Sequence, residues 1–342
     1  MNELTMKLKC GGDLTRDEVA AAVEALLDES VAEETKASFL TALAQKGETA
    51  EEIAAFAVEL RARAVNPQLS GDLLDVVGTG ADRSHTFNIS TCVVFVAAAA
   101  GVRVAKHGNR AVTSRCGSAD VLAALGARIE LQPEAARRCL EETGLTFLFA
   151  PLYHPAFRKI APVRRKLAEL GQRTVFNILG PLVNPACPTH QVIGVFDRGL
   201  GEKYAEVLKA LGLKRAMVVH GNGLDEFSTL GANYVAELHA GQVVIYEKIF
   251  PRDPSENLAR NPTLSDLEGG DAAENARIVR AVLGGTDRGP KRDIVLLNAA
   301  AALVTAGKVP DFSGGRALVA ELIDSGAALA KLTEFVESTK KS

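Results

Sequence analysis

Much of what would mark other protein classes is missing from this chain. No stretch approaches the ~20 apolar residues of a membrane-spanning helix, and the N-terminus MNELTMKLKCGG has no apolar signal core. Both absences point to a cytoplasmic protein without a membrane partner. Lysine and arginine are spread along the chain and the net charge is −3. A dedicated nucleic-acid binder would show a basic stripe instead. The five cysteines (Cys10, Cys92, Cys116, Cys139, Cys187) form no C-x-x-C pair or other metal spacing. They read as reduced thiols, with Cys116 a small loop residue. There is no internal repeat, no low-complexity run and no P-loop, since G-x-x-x-x-G-K-S/T does not occur. The one GTG turn lacks the third glycine and following acidic residue of a dinucleotide fingerprint, which argues against ATPase and dehydrogenase readings.

What is present is ordinary in bulk, with 47% hydrophobic and 24% charged residues, as in a soluble globular protein. At 342 residues the chain can form one large and one small domain. Residues 1–68 read as helical. Capping boxes are expected at Thr15/Glu18, Ser30/Glu33 and Thr49/Glu52, ahead of amphipathic segments. Pro67 lies in a linker. From Leu73 onward strands and helices alternate, the pattern of a sheet with crossover helices. ARIEL (127–131) reads as one such strand, and VAELHAGQVVIYEKI reads as a hairpin turning at Ala240 and Gly241.

The organising stretch is 75–126. LLDVV is a short buried strand that empties into GTGAD (78–82), a turn with almost no side-chain bulk. NIST (88–91) stands where a helix begins, and Gly101 where it ends in a left-handed residue. The strand VRVA delivers KHGNR (106–110), and CGSAD (116–120) opens another helix. Strand, glycine-rich turn and helix N-terminus together make an anion-binding arrangement, because free N–H groups point at the ligand. It occurs twice here with a cationic loop between, which suits a substrate carrying both a phosphate and a pyrophosphate.

This stretch resembles the anthranilate phosphoribosyltransferases, which have a GTGGD loop, an NIST segment and a KHGNR…GSAD loop around phosphoribosyl pyrophosphate. KHGNR separates them from the pyrimidine nucleoside phosphorylases of the same fold. The resemblance implies an α/β fold: a small N-terminal helical domain (1–68, completed by the helix near 155–185) and a large domain (69–342) with a central, mostly parallel sheet flanked by helices. It implies that phosphoribosyl pyrophosphate is bound by Gly78, Gly80, Ala81, Asp82, Thr86, Asn88, Ile89, Ser90, Thr91, Lys106, Asn109, Arg110, Thr113, Ser114 and Ser118. Anthranilate would meet Gly78, His107, Asn109, Arg164 and Gly180. His107 fits either a residue orienting the amine or a hydrogen-bonded wall. The chain departs from the family at Ala81, where a second glycine is usual, and at Arg115 and Cys116. Its helix after Arg164 is also longer, so Arg165 competes with Arg164 for the acceptor carboxylate.

A planar guanidinium can grip a benzoate carboxylate through two hydrogen bonds. The other cations of that basic face (Arg158, Lys159, Arg165, Lys166) fit a solvated surface. Asp225 and Glu226 are adjacent carboxylates in a strand-end loop; such a pair by itself is a solvated acidic turn or a cation site. The resemblance favours Mg²⁺ held by Ser90, Asp225 and Glu226, and a homodimer formed through the helical domain. The implied reaction is transfer of a 5-phosphoribosyl group to the amine of anthranilate in tryptophan biosynthesis.

Overall fold

The computed structural model describes residues 1–80, 82, 84–111, 115–250 and 262–341. Four helices come first: α1 (Asn2–Lys9), α2 (Arg16–Leu27), α3 (Glu33–Lys46) and α4 (Ala50–Ala62). The boxes at α2 and α4 form as the sequence predicts. Thr15 and Thr49 accept from the N–H groups of Glu18 and Glu52 at 3.3 and 3.1 Å. Those glutamates accept in return from the Thr15 and Thr49 N–H groups. The expected box at Ser30 does not form. The Ser30 N–H is drawn to the Asp28 carboxylate at 2.8 Å, and α3 starts from Ala32 with no side-chain cap.

The chain then alternates: β1 (Leu74–Gly78), α5 (Ile89–Ala99), β2 (Val104–Gly108), α6 (Ser118–Ala124), α7 (Pro133–Thr143), β3 (Leu145–Phe149), α8 (Ala150–Tyr153), α9 (Phe157–Glu169), β4 (His190–Gly194), α10 (Gly201–Ala210) and β5 (Arg215–Gly221). A hairpin follows, β6 (Ala232–His239) and β7 (Gln242–Ile249), before α11 (Ala272–Leu283), α12 (Pro290–Thr305), α13 (Phe312–Asp324) and α14 (Ala327–Lys340). The hairpin turns at Ala240 and Gly241, both at positive φ (50° and 75°), as a two-residue turn with matching twist requires.

The seven strands form one sheet in the order β3-β2-β1-β4-β5-β6-β7. The first five are parallel and the hairpin is antiparallel. The expected strand at 127–131 is absent. Ala127, Ile129 and Leu131 are buried with strand-like alternation, but the Arg128 N–H goes to the Thr339 hydroxyl of α14 instead of a neighbouring strand.

Each face of the sheet has its own core. On one side Val76, Phe95 and Leu297 pack with α5, α12 and α14. On the other, Val218 and Tyr204 are continuous with Phe39 and Phe56 of the first helices and with Ile160, Val163 and Leu167 of α9. Helix α9 packs on α2 and α3, so the N-terminal helices and the sheet share an apolar face. Among the described residues no helix is long and apolar enough to cross a membrane.

Strand order reverses between β1 and β4, with β2 and β3 to one side and β5 to the other. In open parallel sheets the crevice at such a switch point, outside the carboxyl ends of the strands, is where ligands bind. GTG begins at the last residue of β1, Lys106, His107 and Gly108 close β2 with Asn109 and Arg110 just beyond it, and the loop with Asp225 and Glu226 follows β5.

Candidate active site

Asp225 is wedged into the crevice between β1 and β4. Its carboxylate accepts from the Gly80 N–H at 2.7 Å. A Cβ on Gly78 would overlap that carboxylate, and one on Gly194 would overlap the Asp225 backbone oxygen. The GTG turn is bare so that this side chain fits. The Thr79 N–H also has a protein partner, the Gly194 carbonyl at 2.9 Å. Thr79 and Gly80 therefore do not offer the free N–H groups that the sequence suggested. Gly80 has φ +68° and open space where a Cβ would stand, which leaves an approach to the turn.

Acidic side chains crowd this floor. Asp82 Oδ2 lies 3.5 Å from the Asp225 N–H and takes the Ser84 hydroxyl at 2.6 Å. Burial, then the Asp82 charge, pushes the Asp225 carboxyl up to about 7. Burial and then Asp225 push Glu226 well above the ordinary range, with Lys106 opposing. Lys106 is buried, donating to the Val76 carbonyl at 2.7 Å and to Ser90 Oγ at 3.2 Å. One buried ammonium, which also faces Asp75, stands against Asp82, Asp225 and Glu226. Among the described residues no three His, Cys, Asp or Glu side chains close into a ready-made metal cage. The donors Ser90, Asp225 and Glu226 are all hard oxygens, and the crowding of their charge is what a further cation would relieve. The set fits Mg²⁺, which binds through few protein ligands and keeps water or phosphate on the rest.

Above this floor Asn88 and Thr91 begin α5. The Asn88 amide donates to the Cys116 carbonyl at 3.2 Å, while Asn88 Oδ1 and Thr91 Oγ1 are buried without partners. Thr86 forms a β-bridge with Glu268, which fixes the loop leading into the helix. Ile89 is a core residue, 1% exposed, and contributes no side chain to the crevice. The KHGNR loop is stapled shut by Asp120, whose carboxylate accepts from Ala111 N–H (2.8 Å), Gly117 N–H (3.0 Å) and Arg110 (3.0 Å). Burial opposes the Asp120 charge, but the two N–H groups and Arg110 outweigh it and lower its pKa. A Cβ on Gly117 would strike the Arg110–Ala111 backbone. Ser118 Oγ and the Ala119 N–H reach back to the Asn109 carbonyl, leaving the Asn109 and Arg110 side chains exposed.

On the other side of the crevice a row of rings runs from β2 to α9. His107 meets His154 edge-on at 5.2 Å, His154 stacks on Phe157 at 4.9 Å, and Phe157 meets Phe176 at 5.9 Å. The Arg164 guanidinium lies over the Phe176 ring at 5.2 Å. It is half-buried, burial lowers its pKa, and no carboxylate pairs with it among the described residues. Arg158, Lys159, Arg165 and Lys166 are exposed, so the structure separates Arg164 from its neighbour. The His107 ring faces the Gly180 backbone, and its Nε2 is buried without a partner. Burial, then His154 and Arg61, depress His107 to about 3, so its ring is neutral at physiological pH. Gly180 itself faces open space.

Model matches cover almost all of this architecture. Residues 2–64 match the glycosyl transferase family, helical bundle domain, and residues 70–329 the glycosyl transferase family, a/b domain. The anthranilate phosphoribosyltransferase of Chloroflexus aggregans is 49% identical over 325 residues, 95% of this chain and 94% of the relative. The chain belongs to the anthranilate phosphoribosyltransferase family. Among solved members, the Thermus thermophilus enzyme superposes with a TM-score of 0.88 at 43% identity, covering 98% of this chain and 99% of that one. The Saccharomyces cerevisiae enzyme, in complex with phosphoribosyl pyrophosphate and Mg, gives 0.86 at 29% identity over 99% and 98%.

Within this family member, the crevice gathers Gly78, Gly80, Asp82, Asn88, Ser90, Thr91, Lys106 and His107 with Asp225 and Glu226. Asn109, Arg110 and Ser118 form its KHGNR rim, and Arg164 and Gly180 lie on the far wall. Ala81, Thr113 and Ser114 lie outside the described residues. Sequence reasoning missed Asp75, Asp120, His154, Phe157 and Phe176. Two had a signal: Asp75 is a lone charge inside an apolar strand, and Asp120 stands three residues after Gly117 at a helix start.

Proposed function

We propose that the chain transfers the 5-phosphoribosyl group from phosphoribosyl pyrophosphate to the amine of anthranilate, giving N-(5-phosphoribosyl)anthranilate and pyrophosphate. This is the reaction its relatives are named for. The observation that carries the reading is the pairing, across one crevice, of an oxygen-rich floor short of positive charge with an aromatic wall that ends at an arginine with no carboxylate partner among the described residues.

Displacement at the anomeric carbon develops oxocarbenium character as pyrophosphate departs, so the protein must hold the leaving group and position a weak nucleophile. Ser90, Asp225 and Glu226 would hold Mg²⁺, which would supply charge neutralisation for the leaving pyrophosphate. Lys106 adds a fixed positive charge beside Ser90. Asn109, Arg110 and Ser118 face the remaining phosphate oxygens. Asn88 Oδ1 is an acceptor, which repels phosphate and suits a ribose hydroxyl; the Thr91 hydroxyl can donate. Arg164 grips the acceptor carboxylate. His107 holds a neutral ring whose Nε2 lone pair accepts from the arylamine, orienting it without needing a strong base. We also infer a cytoplasmic homodimer joined through the helical unit, where Met6 and Val58 are 59% and 50% exposed; sedimentation at micromolar concentration tests the dimer.

The decisive experiment is loss of anthranilate fluorescence when phosphoribosyl pyrophosphate and Mg²⁺ are added. A rapid signal that requires Mg²⁺ is expected. No signal from protein that binds phosphoribosyl pyrophosphate would mean a different acceptor, and no binding would overturn the transferase reading.

A further inference from the structure

Residues 180–184 are held one by one from five separate places in the chain. The His107 ring of β2 faces the Gly180 backbone. Gln191 Nε2 of β4 donates to the Pro181 carbonyl at 2.7 Å, and Arg61 Nε of α4 donates to the Leu182 carbonyl at 2.7 Å. His154 Nε2 donates to the Val183 carbonyl at 2.8 Å. Asn184 Nδ2 donates to Asp75 Oδ2 of β1 at 2.9 Å and to the Ala105 carbonyl at 2.8 Å.

Asp75 ties these anchors together. It is fully buried, sits beside Gln191 in the sheet register, and accepts from that side chain as well at 3.3 Å. It also faces the His107 N–H, Lys106 and Arg61. A buried carboxylate is costly to keep unless donors satisfy it. These donors lead to both walls of the acceptor pocket, His107 through the backbone of β2 and Gly180 through the 181–184 turn.

We propose that Asp75 is a positioning residue for the acceptor half of the site, acting through the 180–184 turn, with Arg61 clamping the same turn from the helical unit. Neither side chain touches substrate in this scheme. Loss of either loosens the spacing between His107, Gly180 and Arg164, while the phosphate-facing loops keep their own bonds. The proposal rests on the transferase reading above.

Its test is steady-state kinetics of wild type, Asp75→Ala, Asp75→Asn, Arg61→Met and the Asp75→Ala/Arg61→Met double variant. Losing hydrogen bonds to a charged acceptor lowers productive binding about 10-fold or more. Asp75→Ala is expected to raise the anthranilate KM by that factor and leave the phosphoribosyl pyrophosphate KM within about twofold. Asp75→Asn, whose amide oxygen can still accept from Asn184 and Gln191, restores most of it. The double variant is expected to fall short of the product of the single effects, as residues sharing one element do. An unchanged anthranilate KM in Asp75→Ala, or equal rises for both substrates without rescue by asparagine, overturns the proposal. Should Asp75→Ala fail to fold, Arg61→Met and Asn184→Ala carry the same expectation, and a normal anthranilate KM in both overturns it. An inactive wild type removes the transferase reading itself; an active wild type with unmoved variants removes only the role of Asp75.

Discussion

The two halves of the crevice are built in opposite ways. Apart from Asp225 and Glu226, the phosphate-facing half is local: GTG, the start of α5 and the KHGNR–GSAD loop lie within one stretch of chain, and Asp120 staples a loop only a few residues long. The acceptor half is assembled from residues 61, 75, 107, 154, 164, 176 and 180–184, drawn from the helical unit, two strands, α9 and the turns between. Local loops can hold a ligand common to many enzymes through backbone geometry. A wall made of side chains from distant elements can change its shape by small shifts in packing, which suits the half that chooses the acceptor.

Substitutions in each half test that contrast. The largest effect is expected at the switch point itself. Gly194→Ala drives a methyl into the Asp225 backbone oxygen, where no flexible side chain can yield. Overpacking of this kind costs about 3 kcal/mol, so denaturant unfolding should show the loss and activity toward both substrates should disappear. If Gly194→Ala is neutral, Asp225 is not wedged against β4.

Next comes the arginine that divides the halves most cleanly. Arg164→Ala should lower kcat/KM for anthranilate about 100-fold, the range for removing a charged hydrogen-bonding partner. Phosphoribosyl pyrophosphate binding, followed by calorimetry, should be kept. Arg165→Ala, at an exposed position, should match wild type; the reverse result would turn α9 by one residue.

Asp120→Ala probes the other half. It strands the Ala111 and Gly117 N–H groups and frees Arg110, so the phosphoribosyl pyrophosphate KM should rise about 10-fold with the anthranilate KM little changed. A matched rise in both would mean that the loop supports the acceptor wall as well.

The smallest effect is on stability and depends on pH. His107 is held near 3 and His154 near 4, in each case chiefly by burial, against about 6.5 in an unfolded chain. At these two imidazoles the unfolded state therefore binds more protons below about pH 6.5, and their contribution to stability falls as pH is lowered through that value toward the folded pKa. Roughly 1 kcal/mol per imidazole should be lost by pH 5.5. His154→Phe should flatten the slope measured by urea unfolding at pH 7.5 and 5.5, while a slope unchanged in that variant would assign the effect elsewhere.

Legibility in the sequence follows the same division. The strand-turn-helix units, the hairpin at Ala240 and Gly241, and the caps at Thr15 and Thr49 are fixed by neighbours in sequence and can be read there. The box expected at Ser30 fails because Asp28, two residues earlier, competes for its N–H. The segment 127–131 has strand periodicity, yet its partner is a helix 211 residues away. The same limit hides the role of Asp75, whose bonds run to Asn184 and Gln191. Arg164 is separable from Arg165 only once α9 is docked and Phe176 lies beneath one of them.

The bareness of Gly78 has a consequence for anyone altering this crevice. The space its missing Cβ leaves is filled by a carboxylate supplied far downstream, so tolerance at position 78 depends on what stands at 225. Gly78→Ala should be harmful in the native background and mild once Asp225 has been shortened to glycine. Packing along mutational routes through this pair is therefore order-dependent: changing the glycine first forces a clash, whereas giving up the carboxylate first costs a metal ligand but leaves the glycine free to change.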